Sequence, residues 1–426
     1  MNRRIFLKQA GLLTAAASII PATAWSGNAG TMPNDNIQLG MIGVGKRGGG
    51  LLRSFLNSPG NRIVAVCDVD DNKLQRAVSG VNDFYDQKSG TSNSDCSAYR
   101  DFREVLARKD IDAVVIATPD HWHAIPVIMA AEAGKDIYGE KPLSLTLAEG
   151  RAMTNAVRRF DRVFQAGSQQ RSDSKFRHAC ELVRNGYIGD IVKVNISIRT
   201  GFYPFPAVCE LGPEQKLPEL DWEMWQGPAP RRPYNAILAP PISFDGYPAW
   251  RNYRDYSGGG MTDWGAHHFD IAQWGLGMDT SGPVEAMPPS RDRKLLTYRY
   301  ANGVIMETDF ESNYILFTGT DGWVQVNRDY IRASSPSLLD VKIGPNEINL
   351  YNSKDHIGDW FSAIRKRSTP ICDVETAHRS VSVCHLGNLS VQLDRTLHWD
   401  PEKEVFINDE QANRMRDRAK NSPWLL

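Results

Sequence analysis

Apolar and polar positions follow two rhythms along this chain. From Ile37 onward, short apolar runs are followed by segments with apolar residues every three or four positions. Strand and amphipathic helix repeated in this way predict a parallel sheet covered by helices. "IQLGMIGVGKRGGGLLRSFLNS" is a strand running through glycines into a helix, and "RIVAVCDVD" is the next strand. "DAVVIATPDHWHAIPVIMAAEAG" and "KDIYGEKPLSLTLAEGRAMTNAVRRF" each read as strand, polar turn and helix. "VFQAGSQQRSDSKFRHACELVRNGYIGDIVKVNISI" gives strand, turn, helix and strand. Periodicity then fails over 201–256, a stretch rich in Pro, Trp, Tyr and Arg. Beyond residue 283, short alternating runs with turns such as Ala301-Asn302-Gly303 predict antiparallel strands. Two helical stretches, "DHIGDWFSAIRKR" and "VETAHRSVSVCHLGNLSVQL", precede a C-terminal tail.

At 426 residues the chain has room for two domains, and 23% charged with 41% hydrophobic residues is an ordinary globular composition. A formal net charge of -1 gives no general attraction for nucleic acid or anionic membrane. The cysteines (Cys67, Cys96, Cys180, Cys209, Cys372, Cys384) show no metal-binding spacing and read as small buried apolar residues. The N-terminus changes the picture. "NRRIFLKQAGLLTAAASIIPATAWS" pairs Arg3 with Arg4 ahead of a short apolar run ending at Ala22-Thr23-Ala24. The run is too short for a good membrane span, and with its cleavage pattern residues 1–30 resemble a twin-arginine export signal. No cysteine lies there to carry a lipid anchor. A periplasmic protein that folds and loads a cofactor before export is expected.

Candidate chemistry begins at Gly43-x-Gly45-x-x-Gly48, between strand and helix, where backbone N–H groups can approach a pyrophosphate. Asp68 ends the next strand, twenty positions after Gly48. An acid there accepts from ribose hydroxyls and repels a 2′-phosphate, so NAD is expected over NADP. Further strand ends carry Thr118, Asp120, Trp122, His123, Glu140 and Lys141, on the ligand-facing edge of such a sheet. Helix capping and packing remain open for His121-Trp122-His123. Gln169, Gln170 and Arg171 suit hydroxyls or phosphates, or plain solvation of a helix start. Trp250 and Arg251, in the aperiodic stretch, suit a sugar, or packing of that stretch on its own domain. In "GGGMTDWGAHHFD", a continuous helix would place Asp263, His267 and Asp270 on one face, with His268 pointing elsewhere. That face suits an oriented base as well as a metal. Adjacent helical residues diverge and no third ligand motif follows, so no metal is expected. His268 and Asp270 are left between substrate contact and helix packing.

Together the glycine turn, Thr118-Pro119-Asp120…His123, Glu140-Lys141-Pro142 and Asp263-x-x-x-His267 resemble the glucose–fructose oxidoreductase / inositol dehydrogenase (Gfo/Idh/MocA) family over roughly 36–400. The resemblance implies an α/β chain with an N-terminal Rossmann domain over 36–160. A C-terminal α/β domain with a large, mostly antiparallel open sheet would span 161–400, leaving 401–426 as a tail. It implies tightly bound NAD, a sugar, glycoside or polyol substrate, and a homo-oligomer, dimer or tetramer. Lys141, Asp263 and His267 would be catalytic. Gly43, Gly45, Lys46, Arg47, Gly48, Asp68, Thr118, Asp120, Trp122, His123, Glu140, Lys141 and Gln169 would hold the cofactor, and Arg171, Trp250, Arg251 and His268 the substrate. In this scheme His267 takes the hydroxyl proton, Asp263 orients the imidazole and balances its charge, and Lys141 stabilises the alkoxide. A redox glycosidase, which oxidises a sugar transiently to eliminate its aglycone, is the alternative. Relatives of that kind show Glu-Val-Pro at Glu140-Lys141-Pro142, so Lys141 favours net oxidoreduction. A non-catalytic binding protein is disfavoured by Lys141, Asp263 and His267 occurring together.

Overall fold

The first sheet grows out of apolar runs long enough only for short strands: β1 (Ile37–Ile42), β2 (Asn61–Cys67), β3 (Ser97–Tyr99), β4 (Ala113–Ile116), β5 (Asp136–Gly139) and β6 (Phe164–Ala166). The structure is a computed structural model that describes residues 36–92, 95–199 and 210–425. The strands lie parallel in the order β3-β2-β1-β4-β5-β6. β4 is buried throughout, as a strand covered on both faces must be. The order reverses between β1 and β4, and the crevice at that switch point is where such sheets bind ligands. Helices return from each strand, and several of their starts, though not those after β1 and β4, are fixed by side chains. Asp70 accepts from the Lys73 amide (3.1 Å), and Thr146 from the Glu149 amide (3.2 Å).

The second sheet is built from β7 (Ile191–Ser197), β8 (Glu285–Met287), β9 (Leu296–Arg299), β10 (Ile305–Asp309), β11 (Tyr314–Gly319), β12 (Trp323–Val326), β13 (Ile331–Ala333), β14 (Leu397–Asp400) and β15 (Val405–Phe406). Its order is β13-β12-β11-β7-β10-β9-β8-β14-β15, with β7 and β10 parallel and the other pairs antiparallel. Val194, Met306, Ile315, Phe317 and Val324 are fully buried and join the core cluster formed with Phe269, Ile271 and Ala272 of the helix Gly265–Leu276. The fold is therefore α/β, a Rossmann-type half followed by a half with a mixed, mostly antiparallel sheet.

Long-range packing blurs the linear division. β6 lies past residue 160 and β15 past residue 400, each still part of its sheet. The helix His356–Lys366 returns to the first half, placing Trp360 and Phe361 in one cluster with Leu39, Phe55 and Tyr138. The segment after 401 is more than a tail, since Trp424 packs edge-on against Trp122 (4.8 Å between centroids). The signal expected over 1–30, and Cys209, lie outside the described residues.

Candidate active site

The glycine turn between β1 and the helix Lys46–Leu56 is shaped by steric need. Gly43 sits at φ +83°, and a Cβ there would lie 2.8 Å from the Ala117 carbonyl oxygen. At Gly48 a Cβ would lie 2.0 Å from the Gly43 carbonyl oxygen, so only glycine lets helix and strand close. Gly45 differs: a Cβ there would meet no protein atom within 4 Å. It opens onto a cavity of about 1150 Å³, at the positive end of a helix. Asp68 lines the same cavity at the end of β2 and accepts from the Val44 and Asp70 amides (2.8 and 3.0 Å). Burial pushes its carboxyl pKa up, against the pull of those amides and Lys73. An open glycine cradle followed by an acid fits the diphosphate and ribose of NAD.

Thr118, Asp120, Trp122, His123, Glu140, Lys141 and Gln169 line this cavity as well. Glu140 is held under Arg47, whose Nε donates to Oε1 at 2.8 Å, and Arg47 also donates to Gln169 Oε1 (3.3 Å). Burial works against the Arg47 charge, but Glu140 outweighs it and leaves the guanidinium above its ordinary pKa. The His123 ring nitrogens meet the carbonyls of Pro142 (2.6 Å) and Thr118 (2.9 Å). That imidazole ties the turn after β4 to the loop carrying Lys141. Trp122 donates from Nε1 to the Trp225 carbonyl (2.9 Å), so part of its role is packing.

Lys141, Asp263 and His267 converge on the cavity, in an arrangement that differs from a single helical face. The helix Gly260–Asp263 ends at Trp264 and a second one starts at Gly265. Lys141 Nζ donates to the Asp263 carbonyl (2.7 Å) and carboxylate (2.6 Å). The carboxylate expected to orient His267 is thus taken by Lys141. Burial raises the Asp263 pKa, but Lys141 outweighs it and the net shift is downward. His267 is buried, with Nδ1 lacking a hydrogen-bond partner, which leaves Nε2 as the nitrogen a substrate can reach. Burial, followed by Lys141 and Arg328, puts its pKa well below the ordinary imidazole value, so the ring is neutral at neutral pH.

The substrate expectations divide. Trp250 and Arg251 line the cavity, with the Arg251 guanidinium 4.3 Å from the Trp250 ring. Trp250 is also one member of an apolar cluster with Trp222, Trp225, Tyr234 and Tyr256, so the aperiodic stretch packs on itself while walling the site. Arg171 does not face that cavity. It is fully buried, with Nε on Asp270 (2.9 Å) and Nη2 on Asp279 (2.7 Å), a buried cation spent on two carboxylates. The same pairing turns Asp270 away from His267. His268 is fully buried, with Nδ1 against the Ser197 carbonyl of β7 (3.1 Å), because the residue after His267 points into the sheet.

One wall residue, Arg328, carried no sequence signal, and Gln170, read from the sequence as a ligand or solvating residue, supports it from behind the wall. Arg328, on the β12–β13 turn, lines the cavity with its guanidinium 4.6 Å from the Trp264 ring. The Gln170 side chain, in the orientation satisfying both neighbours, donates to the His267 carbonyl (2.9 Å) and accepts from Arg328 Nε (3.2 Å). Such contacts arise from long-range pairing, which local spacing cannot reveal.

Two family descriptions match this chain: "Oxidoreductase family, NAD-binding Rossmann fold" over residues 37–168, and "Oxidoreductase family, C-terminal alpha/beta domain" over 173–426. The chain belongs to the Gfo/Idh/MocA oxidoreductases and is an NAD-binding member of them. A glycosyl hydrolase family 109 protein 2 of Shewanella sp. (strain ANA-3) is 34% identical over 215 residues, 45% of this chain and 44% of that protein. A glycosyl hydrolase family 109 protein of Shewanella putrefaciens is 28% identical over 207 residues, 45% and 44% of the two chains. The chain thus spans less than half the length of these curated relatives. An aldose-aldose oxidoreductase of Caulobacter crescentus shares the fold at 18% identity, covering 85% of this chain and 99% of that one with a TM-score of 0.58. So does the WlbA dehydrogenase of Bordetella pertussis, in complex with NADH and UDP-GlcNAcA, at 17% identity, 86% and 99% coverage and TM-score 0.58.

Proposed function

We propose that this chain is an exported oxidoreductase that interconverts a hydroxyl and a keto group on a sugar, glycoside or polyol, with NAD held as a bound group. The observation that carries the reading is the meeting of Lys141, Asp263 and His267 in the cavity that also holds the glycine turn and Asp68. When bound, NAD supplies the two-electron oxidant for a carbinol carbon. His267 takes the hydroxyl proton at Nε2. Its depressed pKa makes it a weak base, so the oxygen giving up the proton needs help. Lys141 gives that help by donating to the oxygen as negative charge develops. Asp263 holds the ammonium in place. Trp250, stacked under Arg251, offers an apolar face to sugar C–H groups.

Contacts of the loop 240–248 support retention of the nucleotide. Lys73 Nζ donates to the Pro240 carbonyl (3.3 Å), and Lys46 Nζ to the Asp245 carbonyl and carboxylate (both 2.6 Å). The loop therefore reaches across the glycine turn, where it would cover a bound pyrophosphate. Tight retention suits the export expected from Arg3 and Arg4, because the nucleotide would be loaded in the cytoplasm and recycled by a second substrate. Assembly as a homo-oligomer belongs to the same proposal.

A redox glycosidase is the second reading, and the names of the Shewanella relatives favour it. Incubating purified protein with a panel of glycosides and disaccharides tests both. A keto-sugar with its glycosidic bond intact supports net oxidoreduction. Aglycone release without net nucleotide change supports the glycosidase. Neither product across the panel contradicts both readings.

A further inference from the structure

The cations on the cavity wall differ in their partners. Lys46 is paired with Asp245, Arg47 with Glu140 and Lys141 with Asp263. Arg328 has no such partner, since among the described residues no carboxylate lies within ion-pair distance of it. Its Nε is used by Gln170 and one face of its plane by Trp264, and the two terminal nitrogens have no hydrogen-bond partner among the described residues. The mount is stiff. Asn327 N donates to the Tyr330 carbonyl (3.0 Å), and Asn327 Oδ1 accepts from the Asp329 and Tyr330 amides (2.8 and 2.9 Å). Arg328 thus stands on a tight turn closed by its own neighbours. Burial lowers its pKa and Arg47 adds to that effect, against a smaller opposing pull from the neighbouring Asp329. Arg53, Arg76 and Arg251 also line the cavity without a carboxylate pair among the described residues, but Arg53 and Arg76 are exposed to solvent and Arg251 rests on Trp250 and Tyr247.

A half-buried guanidinium beside another cation is costly unless an anion completes it. A planar fork with two free N–H edges matches a carboxylate or sulfate better than a lone hydroxyl. Gln170 bridges this fork to the His267 backbone carbonyl, which fixes the position of the guanidinium relative to the residue carrying the base.

We propose that the carbohydrate taken by this site bears an anionic group, a carboxylate or a sulfate ester, held by Arg328 while His267 and Lys141 meet the reacting hydroxyl. This rests on the carbohydrate reading above. The test is equilibrium binding to the NAD-loaded protein, read by tryptophan fluorescence, because Trp264 lies against Arg328. The probes are methyl glycosides of glucose, galactose and mannose, each neutral, oxidised to the carboxylate at the primary carbon, or sulfated there. At least one acidic member should bind about tenfold or more tighter than its neutral counterpart, the size of a hydrogen bond to a charged group. Arg328→Gln should collapse that ratio towards one, and Arg328→Lys should restore part of it. The carboxylate and sulfate series tell which anion is preferred. Equal affinity for acidic and neutral sugars, or a ratio unchanged in Arg328→Gln, overturns the inference and leaves the carbohydrate reading standing. Loss of NADH binding in Arg328→Gln also overturns it, by placing the arginine on the nucleotide. If no sugar of any charge binds the wild-type protein, both fall together.

Discussion

The two walls of the cavity are made of different material. On the nucleotide side, backbone does most of the work: Gly43, Gly45 and Gly48 shape a turn within six residues, and Asp68 is set by two backbone amides. On the substrate side the wall is side chains drawn from distant stretches, with Lys141 on Asp263 across 122 positions and Gln170 between His267 and Arg328. A backbone wall is sensitive to an added Cβ and indifferent to charge. A side-chain wall is the reverse, since its geometry depends on charges neutralising one another.

That contrast can be broken at named positions. The largest effect is expected at His267. His267→Asn should lose about 10²- to 10⁴-fold in the rate of nucleotide reduction, the range for a general base, while nucleotide stays bound. Lys141→Met follows, with about 10²- to 10³-fold lost in kcat, comparable to removing one donor from a developing oxyanion. Equal losses of nucleotide affinity in either variant would show that the two walls are not separable. Gly45→Ala should weaken NAD binding roughly tenfold, about 1.4 kcal/mol, with the melting temperature unchanged, because the new methyl meets only the cavity. Gly48→Ala should lower the melting temperature, because its methyl meets the Gly43 carbonyl. Similar behaviour of both in a thermal melt and an NADH titration would contradict the difference drawn between them. A smaller kinetic effect, a severalfold rise in KM with a lowered melting temperature, is expected for Trp250→Ala, which both packs and lines the cavity. Unchanged kinetics would reduce it to packing.

Stability should depend on pH through histidines on both sides. Burial depresses His121 to about 3 and His268 and His385 to about 4, and it also lowers His267, His356 and His378. The unfolded chain, with imidazoles near ~6.5, then binds more protons than the folded one between those values. Stability is fully present above ~6.5 and is lost as pH falls towards the folded pKa values. Melting temperatures measured from neutral to mildly acidic buffer should fall steadily. A flat profile would mean that these imidazoles are not held neutral.

The nucleotide half was legible because its signals are local. The glycines, Asp68 and the strand ends lie in one repeating strand–helix rhythm, and parallel strands leave continuous apolar runs. The substrate half was legible only where residues neighbour in sequence. Asp263 and His267 stand close in the sequence and both line the cavity, yet the break at Trp264 and the capture of Asp263 by Lys141 leave no trace there, since a helical wheel assumes an unbroken helix. Arg171 looked like a ligand residue in "SQQRS", because nothing nearby shows the Asp270 and Asp279 that neutralise it. Arg328 sits in an unremarkable hairpin turn, and it reaches the site only through the order of strands in the second sheet.

In the mechanism proposed above, His267, kept neutral by burial and neighbouring cations, takes the proton as a carbohydrate hydroxyl is oxidised. Single-turnover reduction of bound NAD by a reactive sugar, followed by nicotinamide absorbance across pH in wild type and His267→Asn, probes that proton transfer. The wild-type rate should stay constant through the neutral range and fall only in acid, well below ~6.5. The variant should be slower by at least about a hundredfold and lack that acid limb. Near wild-type rates in the variant, with the same pH profile, would contradict it.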